Sequence, residues 1–475
     1  MTTTVIRNAD WIIAYDAPSH RYTSGDVAFS GDAILHVGGS FAGPAEREID
    51  GRGFLVMPGL VNIHSHPASE PLNKGWNDEI GSPKLYNSSL YEIMPLLRPD
   101  AEAVKAAFKV ALCEALLSGV TTLVDLSVAR EGWIDDMAAS GMRGVLAPMY
   151  RSARWYTKNG YLVEYEWDEA AGDRAMTEAL AIVEAAGKHP SGRLSGMVAP
   201  AQIDTCSEGL IQASYNEAKR LKVPFQIHAA QSIVELHEIT RRHGMTPIEW
   251  LDSLGVLGPR SIIGHGIFLD HHSAAHWPKR DDLGTLVERG TTVAHCPTVF
   301  IRRGIAMQTL GAYIRRGVPL GIGTDTYPHN MLEELRNALY TSRIVAGDPF
   351  DLRTSEVFDL ATLGGARALG RSDIGRLAPG AKADLVMVDT TLPSMRPLRD
   401  PLRSLIYVAA DRAVRHVFVG GEQVVKDARV QTFDLEAASV ALDEAQQRLL
   451  PEVRQLDWAR RSHLEISPLV YGGSE

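Results

Sequence analysis

The chain has 475 residues, 45% of them hydrophobic and 22% charged, with a formal net charge of −10 and a pI near 5.9. That is ordinary for a globular protein built from one large catalytic domain and a smaller one. An acidic balance without a basic stripe speaks against a nucleic-acid partner, and no apolar run reaches the length of a membrane span. Cys113, Cys206 and Cys296 are scattered without Cys-x-x-Cys spacing, and the N-terminus lacks an apolar signal core. The expectation is a soluble, cytoplasmic chain with buried, reduced thiols.

Residues 4 to 56 read as short strands, with Gly31-Asp32 as a hairpin turn. MPGLVNIHSHP, from Met57 to Pro67, reads as a further strand closed by Pro67. Seven more candidate strands follow: 120–126, 143–150, 193–200, 223–230, 260–267, 290–297 and 318–325. Between them lie stretches such as AEAVKAAFKVALCEALLSG and EGLIQASYNEAKRL, with apolar residues at three- and four-residue steps. Eight strands with helical crossovers predict an α/β fold, a (β/α)8 barrel of the TIM type. After it come strands and tight turns again, at 373–389 and 413–430. The two chain ends are therefore expected to build one small β-sandwich around the inserted barrel. The predicted domains are residues 1–57 and 369–433 for the sandwich, 58–368 for the barrel, and 434–475 for a closing helix and tail, the helix over 434–461. Two long loops stand out, 68–97 and 151–169, the second carrying Trp155, Tyr156, Tyr161, Tyr165 and Trp167.

On a strand, side chains alternate faces, so His64 and His66 point the same way and can share one metal ion. A His-x-His triplet alone is weak. Three further strand ends strengthen it: His228 ends the fifth strand, His265 the sixth and Asp325 the eighth. Singly, each reads as a hydrogen-bonded structural residue. Together, at the C-terminal mouth where barrels keep their chemistry, they read as a metal site.

PGLVNIHSHP, QIHAA, IGHG and GIGTD resemble the strand signatures of the amidohydrolase superfamily, and LATLGGARALG with IGRLAPGAKADLVMVD resembles its post-barrel segment. Within it, VAHCPT and the composite sandwich are similar to the branch of triazine hydrolases and aminopurine or cytosine-type deaminases. The resemblance implies one divalent metal held by His64, His66, His228 and Asp325, with His265 hydrogen-bonding the water. No lysine ends the fourth strand to bridge a second metal. Zinc is the expected ion, although His and Asp ligands also suit cobalt, iron and manganese. Zinc would lower the pKa of its water to near 7, supplying hydroxide at neutral pH. Asp325 would then take the water's proton and pass it to the leaving nitrogen. A dimer or larger homo-oligomer is implied by the resemblance only.

The sequence departs from the branch in three places. Deaminases there carry His-x-x-Glu after the fifth strand; here the fourth residue is Gln231, which can orient a substrate but cannot ionise. The fourth strand reads Pro200-Ala201-Gln202 instead of Pro-His, and the seventh continues Pro297-Thr298-Val299-Phe300 instead of Pro-Thr-Ser-Asn. Thinner polar recognition predicts a less polar substrate. The leading expectation is thus hydrolysis of an amide, urea, carbamate or thiocarbamate bond in a small apolar or aromatic molecule. The 68–97 loop resembles that of phenylurea and thiocarbamate hydrolases. The alternative is an aminohydrolase or chlorohydrolase of a purine, pyrimidine or s-triazine, and a third reading is a silent binding relative. Gln231 is expected at the reaction centre, with Trp76, Tyr91, Trp155 and His329 around the substrate. Tyr86 is expected beside Trp76 and Tyr91 against an apolar or aromatic group, and Tyr91 and Asn87 either supply polar contacts or are loop structure. Arg302 and Arg303 either bind an anionic group or form a solvated surface pair.

Overall fold

The computed structural model describes residues 2–278 and 281–472. Its centre is the expected barrel. The eight parallel strands are Leu60–Asn62, Val120–Asp125, Arg143–Leu146, Leu194–Gly196, Phe225–Ala229, Ser261–His265, Thr292–His295 and Leu320–Ile322. Val120–Asp125 is buried at every position, as a strand covered by the barrel lumen on one face and helices on the other must be. The fourth and fifth strands meet through single bridges, Val198 to Phe225 and Gln202 to His228. The eighth and first meet where Ile63 N donates to Ile322 O and Ser65 bridges Asp325. That last closure sets Asp325 beside the two histidines of the first strand.

The crossovers are helical for the reasons their sequences imply. Ala101–Leu117 starts at Asp100, whose carboxylate accepts from Ala103 N, and it buries Phe108, Leu112 and Leu116 against the barrel and its alanines Ala103, Ala106 and Ala107 under the C-terminal segment. It stops at Gly119, which takes a φ of +88° into the next strand.

Four elements differ from expectation. The third strand is interrupted after Leu146 and resumes at Met149–Tyr150, because Pro148 has no N–H for the ladder, and the fourth is interrupted after Gly196 and resumes beside it at Ala199–Pro200. The 151–169 loop contains its own hairpin, Ala153–Tyr156 paired with Glu164–Trp167. The C-terminal helix spans Leu435–Leu449, and Pro451 breaks it well short of residue 461.

Both chain ends build one nine-stranded sheet, in which Phe54–Pro58 pairs with Leu385–Asp389 and links the N-terminal strands to Val414–Val419 and Glu422–Lys426. Bulges in the long strand Thr3–Asp16 bend it over an apolar core that includes Ile6, Ile12, Phe29, Val56 and Phe418. Arg143 of the third barrel strand reaches into this sheet. Its Nε donates to Asp384 Oδ2 at 2.6 Å, and its Nη2 donates to Asp384 Oδ1 at 3.0 Å and also to Asp32. Removing one member of a buried pair leaves an uncompensated charge. Asp384→Asn is therefore expected to cost about 3 kcal/mol, the low end for such a change because Asp32 remains, as read from denaturant midpoints at unchanged slope. No helix among the described residues is long and apolar enough to cross a membrane.

Candidate metal centre

The five predicted residues converge at the C-terminal mouth of the barrel. His64 and His66 lie just past the regular part of the first strand, with ring centroids 5.2 Å apart. His66 N donates to Asp325 O and Asp325 N to His64 O, both at 2.9 Å, so the ends of strands one and eight are stitched together. Asn62 ties the same ends again, donating to Thr324 Oγ1 at 2.8 Å. Asp325 adopts a φ of +57°, an uncommon conformation that aspartate tolerates better than most residues. The IGHG motif has a packing reason. A Cβ on Gly264 would lie 2.5 Å from His64 Cε1, so only glycine lets the sixth strand pass the His64 ring.

The chemistry of the centre follows from what holds the far side of each ring. His64 Nδ1 donates to Gln226 Oε1, His66 Nδ1 to Leu126 O and His228 Nδ1 to Ala201 O. Each acceptor is a carbonyl, so each neutral ring turns the lone pair of Nε2 toward the centre. His66 Nε2 then faces His228 Nε2 at 3.2 Å and Asp325 Oδ1 at 3.2 Å, and His64 Nε2 lies 3.4 Å from the same oxygen. Acceptors that close repel unless a cation sits among them. A tetrahedral zinc site with Zn–N near 2.0–2.1 Å places ligand atoms about 3.3 Å apart, which these spacings match. His64 Nε2 is also buried without a hydrogen bond among the described residues. The residues fit a divalent metal.

His265 is the next neighbour. Its Nε2 lies 3.8 Å from Asp325 Oδ2, the carboxylate's other oxygen. Mutual distance alone groups His64, His228, His265 and Asp325, whose donor atoms lie within 4.8 Å of one another. The shorter spacings and the ring orientations favour His66 in the inner set and His265 beside it. Electrostatics agree with a donor set ready for a cation. Burial, then the other histidines, pushes His228 well below the usual imidazole range, and burial takes His265 down to about 3. Asp325 is held well below the carboxylate range, since the neighbouring His265, His64 and His66 outweigh its burial. His66 moves the other way. Burial disfavours its charge, but Asp325 raises it further, a proton standing where a metal would.

The centre forms the floor of a pocket of about 210 Å³. Gln231 lines it, with its side chain buried. Gln231 also leans on Glu235, a buried acid whose Oε1 accepts from Ala230 N. The four other predicted substrate contacts do not line this pocket. Trp76 is buried beneath the C-terminal helix with Leu72 and Leu442. Tyr91 and Trp155 pack edge to face at 5.0 Å and fasten the two long loops to each other. Tyr91 Oη lies 2.7 Å from Ser232 Oγ, so it supports the Gln231 loop from behind. His329 is fully buried beside Glu114, with Nδ1 3.9 Å from Glu114 Oε2. The three aromatic side chains pack within their own loops and under the C-terminal helix, which residue type alone does not reveal.

Arg302 and Arg303 separate. Arg302 donates to Tyr327 O and stacks 4.4 Å over the Tyr327 ring, a structural clasp. Arg303 points into the pocket. So does Glu70, four residues after His66, which the sequence reading missed. Burial and the nearby Asp325 carry Glu70 up to about 7, against the pull of His66, Arg303 and Arg302. A carboxyl so close after a His-x-His pair was the available signal.

A closed barrel with a histidine–aspartate acceptor cluster at its strand ends defines a metal-dependent hydrolase. The family model described as "Amidohydrolase family" matches residues 55–424. The chain belongs to the amidohydrolase family and is an enzyme acting on carbon–nitrogen bonds. It is 31% identical over 408 residues to the 5-methylthioadenosine/S-adenosylhomocysteine deaminase of Natronomonas pharaonis, covering 85% of this chain and 88% of that one. To the enzyme of the same name from Pelotomaculum thermopropionicum it is 29% identical over 447 residues, covering 92% and 96%. Among solved structures, a triazine hydrolase from Arthobacter aurescens superposes with a TM-score of 0.79 at 22% identity, over 94% of this chain and 100% of that one. An adenosine deaminase from Xanthomonas campestris with bound zinc gives 0.78 at 24%, over 94% and 98%. At such identity these two structures speak to the fold alone. The predicted likeness to phenylurea and thiocarbamate hydrolases finds no support in these proteins: the two sequence relatives are named deaminases, and the two structures a triazine hydrolase and an adenosine deaminase.

Proposed function

We propose that the chain is a metal-dependent aminohydrolase that replaces an amino group on a small nitrogen heterocycle with oxygen, releasing ammonia. The observation that carries this reading is the cluster of facing imidazole and carboxylate acceptors on the floor of a pocket with polar groups in its walls. Deaminase relatives covering most of the chain support it. The pocket's small volume favours a base-sized substrate over a long adenosyl conjugate. Zinc is the ion that fits the donor spacing best, and the zinc named with the Xanthomonas campestris structure is consistent with it.

A bound divalent metal supplies a water acidified to near neutral pKa and polarises the carbon under attack. The protein's own residues do the rest. Asp325 accepts the proton lost by the water and delivers it to the leaving nitrogen, within hydrogen-bond reach of both. His265 donates a hydrogen bond to the attacking oxygen. Gln231 presents an amide N–H to a ring acceptor, holding the heterocycle over the centre without exchanging protons.

A second reading has its own observation. Val299, Phe300 and Ile305 line the pocket as apolar walls, which suits an amide, urea or carbamate carrying an apolar group. Product analysis by mass spectrometry separates the two, with zinc-loaded and chelated enzyme offered aminopurines, cytosine-type bases and aminotriazines beside N-aryl ureas and carbamates. Chelator-sensitive ammonia release is the expected result, and release of an aryl or alkyl amine instead would replace the first reading with the second. Chelation is also expected to lower thermal stability. At metal a thousandfold above its Kd the linkage is about 4 kcal/mol, visible by calorimetry as a downward shift in Tm of a few degrees.

A further inference from the structure

Two charged groups in the pocket have no role in the proton path described above. Arg303 sits in the turn after the short helix Pro297–Ile301 that follows the seventh strand. Its Nη1 donates to Val299 O at 2.8 Å, which fixes the guanidinium, while its Nε is buried with no hydrogen-bond partner among the described residues. Glu70 opens the short turn Glu70–Asn73 after the first strand and is 7% exposed. Among the described residues its carboxyl accepts no hydrogen bond and no ion pair joins it to Arg303, although each senses the other's charge. Both line the same pocket as His66, His228, His265 and Asp325.

A buried guanidinium N–H and a buried carboxyl are each costly to leave unsatisfied, and a pair built for stability would close on itself. These two stand apart, one a donor and the other an acceptor, on walls supplied by different barrel loops. Gln231 lines the same space. The polar groups missing at Gln231, Val299 and Phe300 are thus replaced from other positions.

We propose that Arg303 and Glu70 are specificity-determining residues that read a cis edge of the substrate ring, Arg303 donating to a carbonyl oxygen or ring nitrogen and Glu70 accepting the adjacent N–H. The ligand class is a lactam- or amidine-edged nitrogen heterocycle of one or two rings. The proposal rests on the aminohydrolase reading for the ring and on the pocket geometry for the edge.

The test is calorimetric binding to the zinc-loaded full chain of two matched pairs of probes. Hypoxanthine and uracil present a cis lactam edge, whereas the six-membered rings of purine and pyrimidine present only ring acceptors. The wild-type protein is expected to prefer at least one lactam over its parent by about 10- to 100-fold, the range of a hydrogen bond to a charged group. Arg303→Met and Glu70→Met should each cut that preference to within about threefold, with zinc content and Tm unchanged. Arg303→Lys and Glu70→Gln, which keep a donor and an acceptor, should restore part of it. A general packing defect would not show that ligand-specific loss and rescue. No lactam preference in the wild type, or a preference that survives both methionine variants, overturns the proposal. Ammonia release measured on the same wild-type preparation keeps the two failures apart. Release with an unchanged preference in the variants sinks the edge reading alone. No release from any aminoheterocycle, with a preference that the variants abolish, sinks the aminohydrolase reading and leaves the edge reading standing.

Discussion

Asp325→Ala is expected to lower kcat by about a thousandfold or more, to the floor of detection in a steady-state assay. Two contributions are lost together. The carboxylate Oδ1 lies 3.2 Å and 3.4 Å from the inward nitrogens of His66 and His64, so its removal takes the anionic member from the donor set and weakens metal binding. It is also the proposed carrier of the proton that must travel from water to leaving nitrogen. Asp325→Asn separates the two effects. The amide keeps the size and one acceptor oxygen, so zinc measured by elemental analysis should be partly retained while turnover stays as low as in the alanine variant. Near-normal turnover in either variant would rule out Asp325 as the proton carrier.

Gln231→Glu is the second large effect, and it is a gain. At this position a carboxyl can exchange a proton with a ring nitrogen, which an amide cannot, and general acid–base assistance is worth about 10²-fold or more. Its environment raises the stakes. Glu235 lies behind it, already pushed well above the ordinary range, first by burial and then by the charge of Asp204. A second carboxyl there will be held partly protonated, and the new activity should fall as pH rises and that proton is lost. The expected outcome is faster ammonia release from an aminoheterocycle with a new descending limb in the pH–rate profile. An unchanged rate and profile would mean that Gln231 lies outside the proton path and that the native chemistry does not need it.

The metal cluster was legible in the sequence because a barrel converts strand order into convergence. His64, His66, His228, His265 and Asp325 each end an apolar run, and every parallel strand delivers its end to the same mouth. Composition was legible for the same reason, since a strand covered on both faces must be apolar throughout. The motif glycines follow the same logic, as Gly264 shows where it clears the His64 ring.

The pocket walls were not legible. Trp76, Tyr91 and Trp155 have the residue types of a binding surface, yet they pack into their own loops and under the C-terminal helix. Arg302 and Arg303 are neighbours of identical chemistry, yet one clasps Tyr327 and the other faces the metal centre. Loop side chains are placed by contacts with partners far away in sequence, and no local period encodes which way they turn. The sequence by itself determined the barrel, the composite sheet and the donor set, because periodicity and strand-end position carry them. Only the tertiary structure decided that Glu70 and Arg303 line the pocket and that the aromatic residues do not, because that choice depends on how the loops settle over the barrel mouth.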